Sequence, residues 1–248
     1  MRAATREPQP GLDAAFDRDV FLLNQRVLTV ASRYEVCAPD GTAVLHVERP
    51  TYVVRALLAY GLAVAAAAVT LAAVEEVPLL SVVLAAVVFM VVSMSARPRR
   101  HVTVYRDHSR AVTLLRILQN ERVAVLTRSY TVVSPDGTVL ARLRKHELHN
   151  LVRKRWYVES PGGEVLAVAM EDSIVLSLLR RVLGTLFGVL RTNFVIHRGQ
   201  GGDVLGEFNR KFTLRDRYVL DMTADPGRTL DRRVAVSLAV VLDSGERR

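Results

Sequence analysis

The chain has 248 residues, half of them hydrophobic, and carries a net charge of +9 with a pI of about 10.3. Its one cysteine, Cys37, excludes an internal disulfide and any cysteine-rich metal site. A mean hydropathy of +0.19 in a chain that is 24% charged requires the apolar excess to be local, and because Lys145, Lys154 and Lys211 are the only lysines, the basic character is almost wholly arginine. Arginine suits phosphate groups on lipid or nucleic acid, and a GC-rich genome gives the same bias.

Residues 1–20, MRAATREPQPGLDAAFDRDV, hold no apolar run of signal-peptide length and read as a flexible tail beginning in the cytoplasm. Residues 32–50, SRYEVCAPDGTAVLHVERP, return in altered form as RSYTVVSPDGTVLARLRK at 128–145, with Tyr34, Pro39, Asp40 and Gly41 matched by Tyr130, Pro135, Asp136 and Gly137. Between the copies lie two charge-free runs, 56–74 and 77–95, separated by Glu75 and Glu76. At about 1.5 Å per residue each run spans roughly 28 Å, close to the thickness of a bilayer core. The segment 53–96 therefore reads as a transmembrane helical hairpin with an acidic tip. A pair of buried soluble helices would need a far larger core to cover it. Arg55 precedes the hairpin and Arg97, Arg99 and Arg100 follow it, so the positive-inside rule puts both outer ends in the cytoplasm. Gly61, Ala63 and Ala65–Ala68 would let the two helices pack closely.

Outside this insertion, turns flanked by alternating apolar residues predict six hairpins: YEVCAPDGTAVLHV, VTVYRDHSRAVTLLRIL, YTVVSPDGTVLARL, WYVESPGGEVLAVAM, FVIHRGQGGDVLGEF and YVLDMTADPGRTL. Asp-Gly and Gly-Gly supply the positive φ of two-residue hairpin turns. Twelve short antiparallel strands close into a barrel or a sandwich. The hairpins fall into two sets of three, and each set is interrupted after its first member. In the first half the interruption is the membrane hairpin. In the second it is SIVLSLLRRVLGTLFGVLR, 173–191, whose Arg180, Arg181 and Arg191 share a narrow polar stripe on an otherwise apolar helical rod. That rod either lies in the membrane interface with its arginines toward headgroups or packs on the barrel. Val234–Leu242 is apolar except for Ser237, too short to span a bilayer, and fits a helix threaded through the barrel with Asp231 near its N-terminus or a final strand.

These residues in this order resemble the phospholipid scramblase, Tubby C-terminal and LURP-one-related superfamily. The resemblance is carried by RYEV…DGT…ER over Arg33–Arg49, by Trp156-Tyr157-Val158 with its Gly-Gly turn, by DVLGEFNRKF around Gly206, and by LDRRVAVSLAVVLD. It implies a mainly β fold: a twelve-stranded antiparallel barrel around a hydrophobic C-terminal helix, over 21–248, interrupted by 53–96. It also implies work at membranes, with phosphoinositide binding in Tubby proteins and calcium-dependent lipid movement proposed for scramblases. The acidic segment departs from the family, since Asp216, Asp221, Asp225 and Asp231 lack an EF-hand order and are interrupted by Arg215 and Arg217. The family's cysteine-rich palmitoylation stretch is absent, and the inserted hairpin takes over anchoring.

No catalytic constellation, cofactor fingerprint or metal set stands out. His146 and His149 in KHELHN do not form HExxH, Cys37 has no identifiable base, and RGQGGD at 198–203 reads as a turn. The expected function is a membrane-anchored lipid- or protein-binding module with a cytoplasmic barrel. It would contact anionic phospholipid headgroups through Arg180, Arg181, Arg191, Arg97, Arg99 and Arg100, with no nucleic-acid partner. A scramblase-like lipid transporter is the alternative. The expected location is the inner cell membrane, spanned twice, with N- and C-termini cytoplasmic.

Overall fold

The computed structural model describes residues 12–26, 32–50, 52–74, 76–96, 98–99, 101–121, 126–146, 154–171, 194–211 and 217–246. Twelve strands run β1 (Val20–Arg26), β2 (Ser32–Cys37), β3 (Ala43–Arg49), β4 (Val102–Tyr105), β5 (Thr113–Gln119), β6 (Thr127–Val133), β7 (Val139–His146), β8 (Arg155–Glu159), β9 (Val165–Glu171), β10 (Phe194–Arg198), β11 (Val204–Lys211) and β12 (Arg217–Asp221). Helices α1 (Val53–Ala73) and α2 (Pro78–Ser95) lie between β3 and β4, and α3 (Arg232–Glu246) ends the described chain. Every strand pairs antiparallel with its sequence neighbour, and β1 closes on β12, so the sheet is a closed up-and-down barrel.

Period-two alternation decides which residues face inward. On β7, Ala141, Leu143 and Lys145 are buried while Arg142 is exposed. The inner faces supply Phe21, Leu23, Ile117, Trp156 and Phe208 to one core, filled from the middle by α3, on which Val234–Leu242 are all buried. The helix, not a final strand, is what the C-terminal apolar run forms. Asp231 caps it, its carboxylate accepting the Arg233 amide at 2.8 Å while its carbonyl accepts the Ala235 amide at 2.9 Å. Inside a closed barrel a segment has no strand edge to pair with, so its backbone must satisfy itself, and a helix does so.

Five of the six expected hairpins form, and in three of them the turn is one residue longer than expected. In the copies at Ala38–Thr42, Ser134–Thr138 and Ser160–Glu164 an i to i+3 hydrogen bond is followed by a glycine at φ near +90° (Gly41, Gly137, Gly163), and the register slips by one residue beside it. This is the three-residue hairpin with a glycine bulge, for which Pro-Asp-Gly and Pro-Gly-Gly suit the central positions. Asp40 and Asp136 fasten two of these turns by accepting the amides of Thr42 and Thr138.

The sixth hairpin does not form. YVLD becomes β12, but the following TADPGRTL winds into a loop around Asp225 and leads into α3. Its missing partner is β1, pairing from Val20↔Asp221 to Asn24↔Arg217. The twelfth strand therefore comes from the chain start. That also corrects the flexible tail over 1–20: within its described part Ala15 and Phe16 are buried in the core, and Asp17 and Asp19 pair with Arg228 and Arg232. An aromatic ring and two carboxylates with fixed partners hold a segment that composition alone marks as polar.

The apolar insertion forms two helices of mean hydropathy 2.1 and 2.4, each long and apolar enough to cross a membrane. They pack against each other through Ala59 and Ala63 on α1 and Ser81, Ala85 and Ser93 on α2, while most of their Leu and Val side chains are exposed. Gly61, expected in the seam, faces outward, with nothing within 4 Å of an added Cβ. The hydroxyls of Thr70, Ser81 and Ser93 each bond a carbonyl three or four residues earlier, which leaves them satisfied without water.

Candidate membrane-facing rim

In an up-and-down barrel successive connections alternate between the two ends. The tight turns after β2, β4, β6, β8 and β10, the loop before β1 and the loop after β12 form one end, the turn-side rim. The connections after β1, β3, β5, β7, β9 and β11 form the other. Because α1 and α2 are the connection after β3, this second end is the span-side rim.

The two rims differ in charge. Among the described residues, and leaving out the helices' own acidic tip, the span-side connections and the strand and helix ends beside them carry eight Arg and Lys (Arg26, Arg49, Arg55, Arg99, Lys154, Arg155, Lys211 and Arg217) against two acidic residues, Glu121 and Glu171. The turn-side segments 13–20, 37–43, 105–113, 133–139, 159–165, 198–204 and 221–232 carry six against twelve. Among the described residues the basic excess thus lies at the end from which the apolar hairpin leaves. The tether is short: three residues separate Arg49 from Val53, which at about 3.8 Å per Cα step keeps the strand end within roughly 15 Å of the helix start.

All six arginines expected to bind lipid fall in span-side connections. In sequence Arg97, Arg99 and Arg100 follow α2, and Arg180, Arg181 and Arg191 fall between β9 and β10. Arg99 is exposed. Arg97, Arg100, Arg180, Arg181 and Arg191 lie outside the described residues, as does the question of how 173–191 folds.

Other groups here stood outside the expected lipid contact. Arg155 opens β8, exposed on this rim. Arg55, also exposed, sits with its guanidinium 5.3 Å from the centre of the Tyr52 ring, an aromatic and cationic pair at the start of α1. His101 contributes little charge: partial burial, then the neighbouring Arg99, hold its pKa below the usual imidazole value, and its Nδ1 accepts the Gln119 amide at 3.3 Å. Just inside the mouth, Arg128 and Lys145 face each other across the β6–β7 ladder, both buried, at the end of the core that also buries Glu171. Lys145 Nζ stands 5.6 Å over the Trp156 ring, and the indole N–H of Trp156 is buried with no hydrogen-bond partner.

The segment compared with a calcium site is occupied by protein donors. Asp221 accepts from Thr223, Asp231 from Arg233, and Asp225 from Thr229, Leu230 and Arg232. Asp216 lies outside the described residues. Among the described residues no group of three or more His, Cys, Asp or Glu side chains is arranged to hold a metal ion. Cys37 is buried with Asn24 Nδ2 3.4 Å from its sulfur, His146 Nδ1 lies 3.3 Å from the Thr127 hydroxyl, and Gly199–Gly202 form the β10–β11 turn. His149 is outside the described residues.

Comparison with protein-family models, with curated proteins and with solved structures gave no match.

Proposed function

We propose that this protein is a membrane-anchored binding module: α1 and α2 cross the inner membrane as a hairpin with both flanks cytoplasmic, and the barrel contacts anionic lipid headgroups. The observation that carries this reading is that the basic rim and the origin of the apolar hairpin are the same end of the barrel. Near an anionic leaflet each such cation contributes about 1 kcal/mol, fading within a Debye length of roughly 8 Å at physiological salt. The positive-inside rule selects the cytoplasmic side for the same cations. Membership of the scramblase, Tubby and LURP-one-related superfamily belongs to the same proposal and is supported by the closed twelve-stranded barrel around a C-terminal helix. The binding reading is favoured over lipid transport because the exposed faces of both helices are apolar and their hydroxyls bond their own backbones.

The test uses the full-length protein in vesicles carrying spin-labelled phosphatidylglycerol or phosphatidylcholine. The motionally restricted fraction should favour the anionic lipid, and the preference should shrink with salt and on replacing Arg97, Arg99 and Arg100 with Gln. Absence of any preference leaves recruitment of a protein partner as the surviving form of the reading. Redistribution of lipid between leaflets, abolished by Asp216→Asn, would replace it with transport.

A further inference from the structure

We propose that the barrel stands on the leaflet on its span-side rim and that Leu126, where the β5–β6 connection enters β6, is a wedge inserted into the bilayer interface. This rests on the membrane reading above but adds an orientation and a contact that the reading does not require.

Leu126 is 57% exposed, the only large exposed hydrophobic that the described barrel residues place on this rim; Val112 and Val204 lie at the other. A single exposed leucine is ordinary on a soluble surface. What sets this one apart is its position and its footing. The chain returns from α2 into β4, β4 pairs with β5, and β5 is followed by the corner that holds Leu126, so at about 4.8 Å per strand the corner lies only two strand spacings from the hairpin's exit. The short tether between Arg49 and Val53 then keeps this part of the rim near the headgroup layer.

The described residues at the base of this connection, on β5 and β6, are also tied together. Glu121 accepts the amide and hydroxyl of Ser129 at 2.7 and 2.6 Å, Asn120 donates to the Ser129 hydroxyl at 2.7 Å and accepts from the Thr131 hydroxyl at 3.0 Å, and Gln119 bonds the Glu121 carbonyl at 2.7 Å. Both carboxylate oxygens of Glu121 are thereby turned toward the protein, which removes the corner's one acidic group from the approach to an anionic surface. An exposed apolar side chain beside this tied base, on the same rim as the exposed Arg99 and Arg155, has the composition of an interfacial membrane contact: the leucine enters the boundary between headgroups and acyl chains while the guanidinium groups meet phosphates.

The experiment places an environment-sensitive fluorophore on a single cysteine at position 126 (Leu126→Cys), or on the turn-side rim at Asp136→Cys, in the full chain with Cys37→Ala. Both sites are exposed, so neither label disturbs the core. Each protein is reconstituted into vesicles containing phospholipid brominated near the glycerol end of the acyl chain. The label at 126 should be quenched several-fold more than the label at 136 and should shift to the blue. Equal quenching at the two positions, or stronger quenching at 136, overturns the orientation. An unquenched, water-like label at 126 overturns the wedge and leaves the corner to a protein partner. Failure of the two proposals is separable: quenching at 126 without preference for anionic lipid keeps the seat and removes the headgroup reading, and the reverse pattern does the opposite.

Discussion

Arg232 is the side chain on which the turn-side end of the barrel converges. It is fully buried yet surrounded by acceptors: Asp19 at 2.8 Å, Asp225 at 3.0 Å, and the carbonyls of Met222, Asp225 and Leu230. It thereby ties the approach to β1, the loop after β12 and the first turn of α3 into one joint. Removing one member of such a buried set strands the others, so Arg232→Met should cost about 3–5 kcal/mol, read as a lower unfolding temperature in detergent, and adding Asp225→Asn should recover part of it. Asp225 also makes the joint acid-sensitive. Burial alone would raise its pKa, but the amides of Leu230 and Thr229, the Thr229 hydroxyl and Arg232 outweigh burial and hold it below 3.8. With the folded pKa below the unfolded one, its contribution is complete above about pH 4 and is lost as pH falls through the folded value. Asp225→Asn should therefore lower stability at pH 7 and flatten the loss of stability on acidification below pH 4; an unchanged acid limb would show that another group governs it. Gly206 sets a different kind of limit. A Cβ there would overlap the Asp221 carbonyl and lie 2.6 Å from the Met222 sulfur, so Gly206→Ala forces β11 away from β12 and should destabilise by about 1–3 kcal/mol in the same measurement.

At the scale of elements, the apolar run of α3 and the apolar hairpin have opposite surroundings. Val234–Leu242 is sealed inside the barrel, whereas α1 and α2 leave most of their Leu and Val uncovered. Length separates them: fifteen residues fit a barrel interior, and eighteen to twenty-one match a bilayer. Leu238 is fully buried, so Leu238→Asp introduces an unpaired charge into the core and should cost several kcal/mol, enough to expose the barrel to protease. Deleting 247–248, beyond the described helix, should leave protease resistance intact. Retained resistance in Leu238→Asp would mean that α3 is not the core.

The described residues are polarised along the barrel axis, with a basic excess at the end where the apolar hairpin leaves and an acidic excess at the other. If that polarity is oriented by a cytoplasmic leaflet, the tip between α1 and α2 faces away from the barrel across the membrane. A single cysteine at Glu76 in a Cys37→Ala background should then react with an impermeant maleimide from outside intact cells, whereas one at Asp136 should react only after lysis. The opposite pattern would invert the topology, and extraction of the full chain by alkaline carbonate would remove the spans altogether.

Local chemistry was enough to read β2–β12, the places of five turns and the two apolar helices, because each depends on neighbours in sequence: Pro-Asp-Gly bends the chain at Pro39 and Pro135 whatever lies elsewhere, and the nineteen uncharged residues from Ala56 fall almost wholly within one apolar helix. Even the charge polarity was implicit, since alternate connections of an up-and-down barrel share an end and their charges can be counted once the hairpins are assigned. Closure was not implicit. That Val20–Arg26 rather than TADPGRTL completes the ring depends on pairing residues about 200 positions apart, and Phe16, Asp17 and Asp19 gain meaning only from Arg228 and Arg232 at the far end of the chain. The choice of helix over strand for Val234–Leu242 was also tertiary, because valine-rich sequence permits both and only the closed ring around it, offering no free edge, forces the backbone to bond itself.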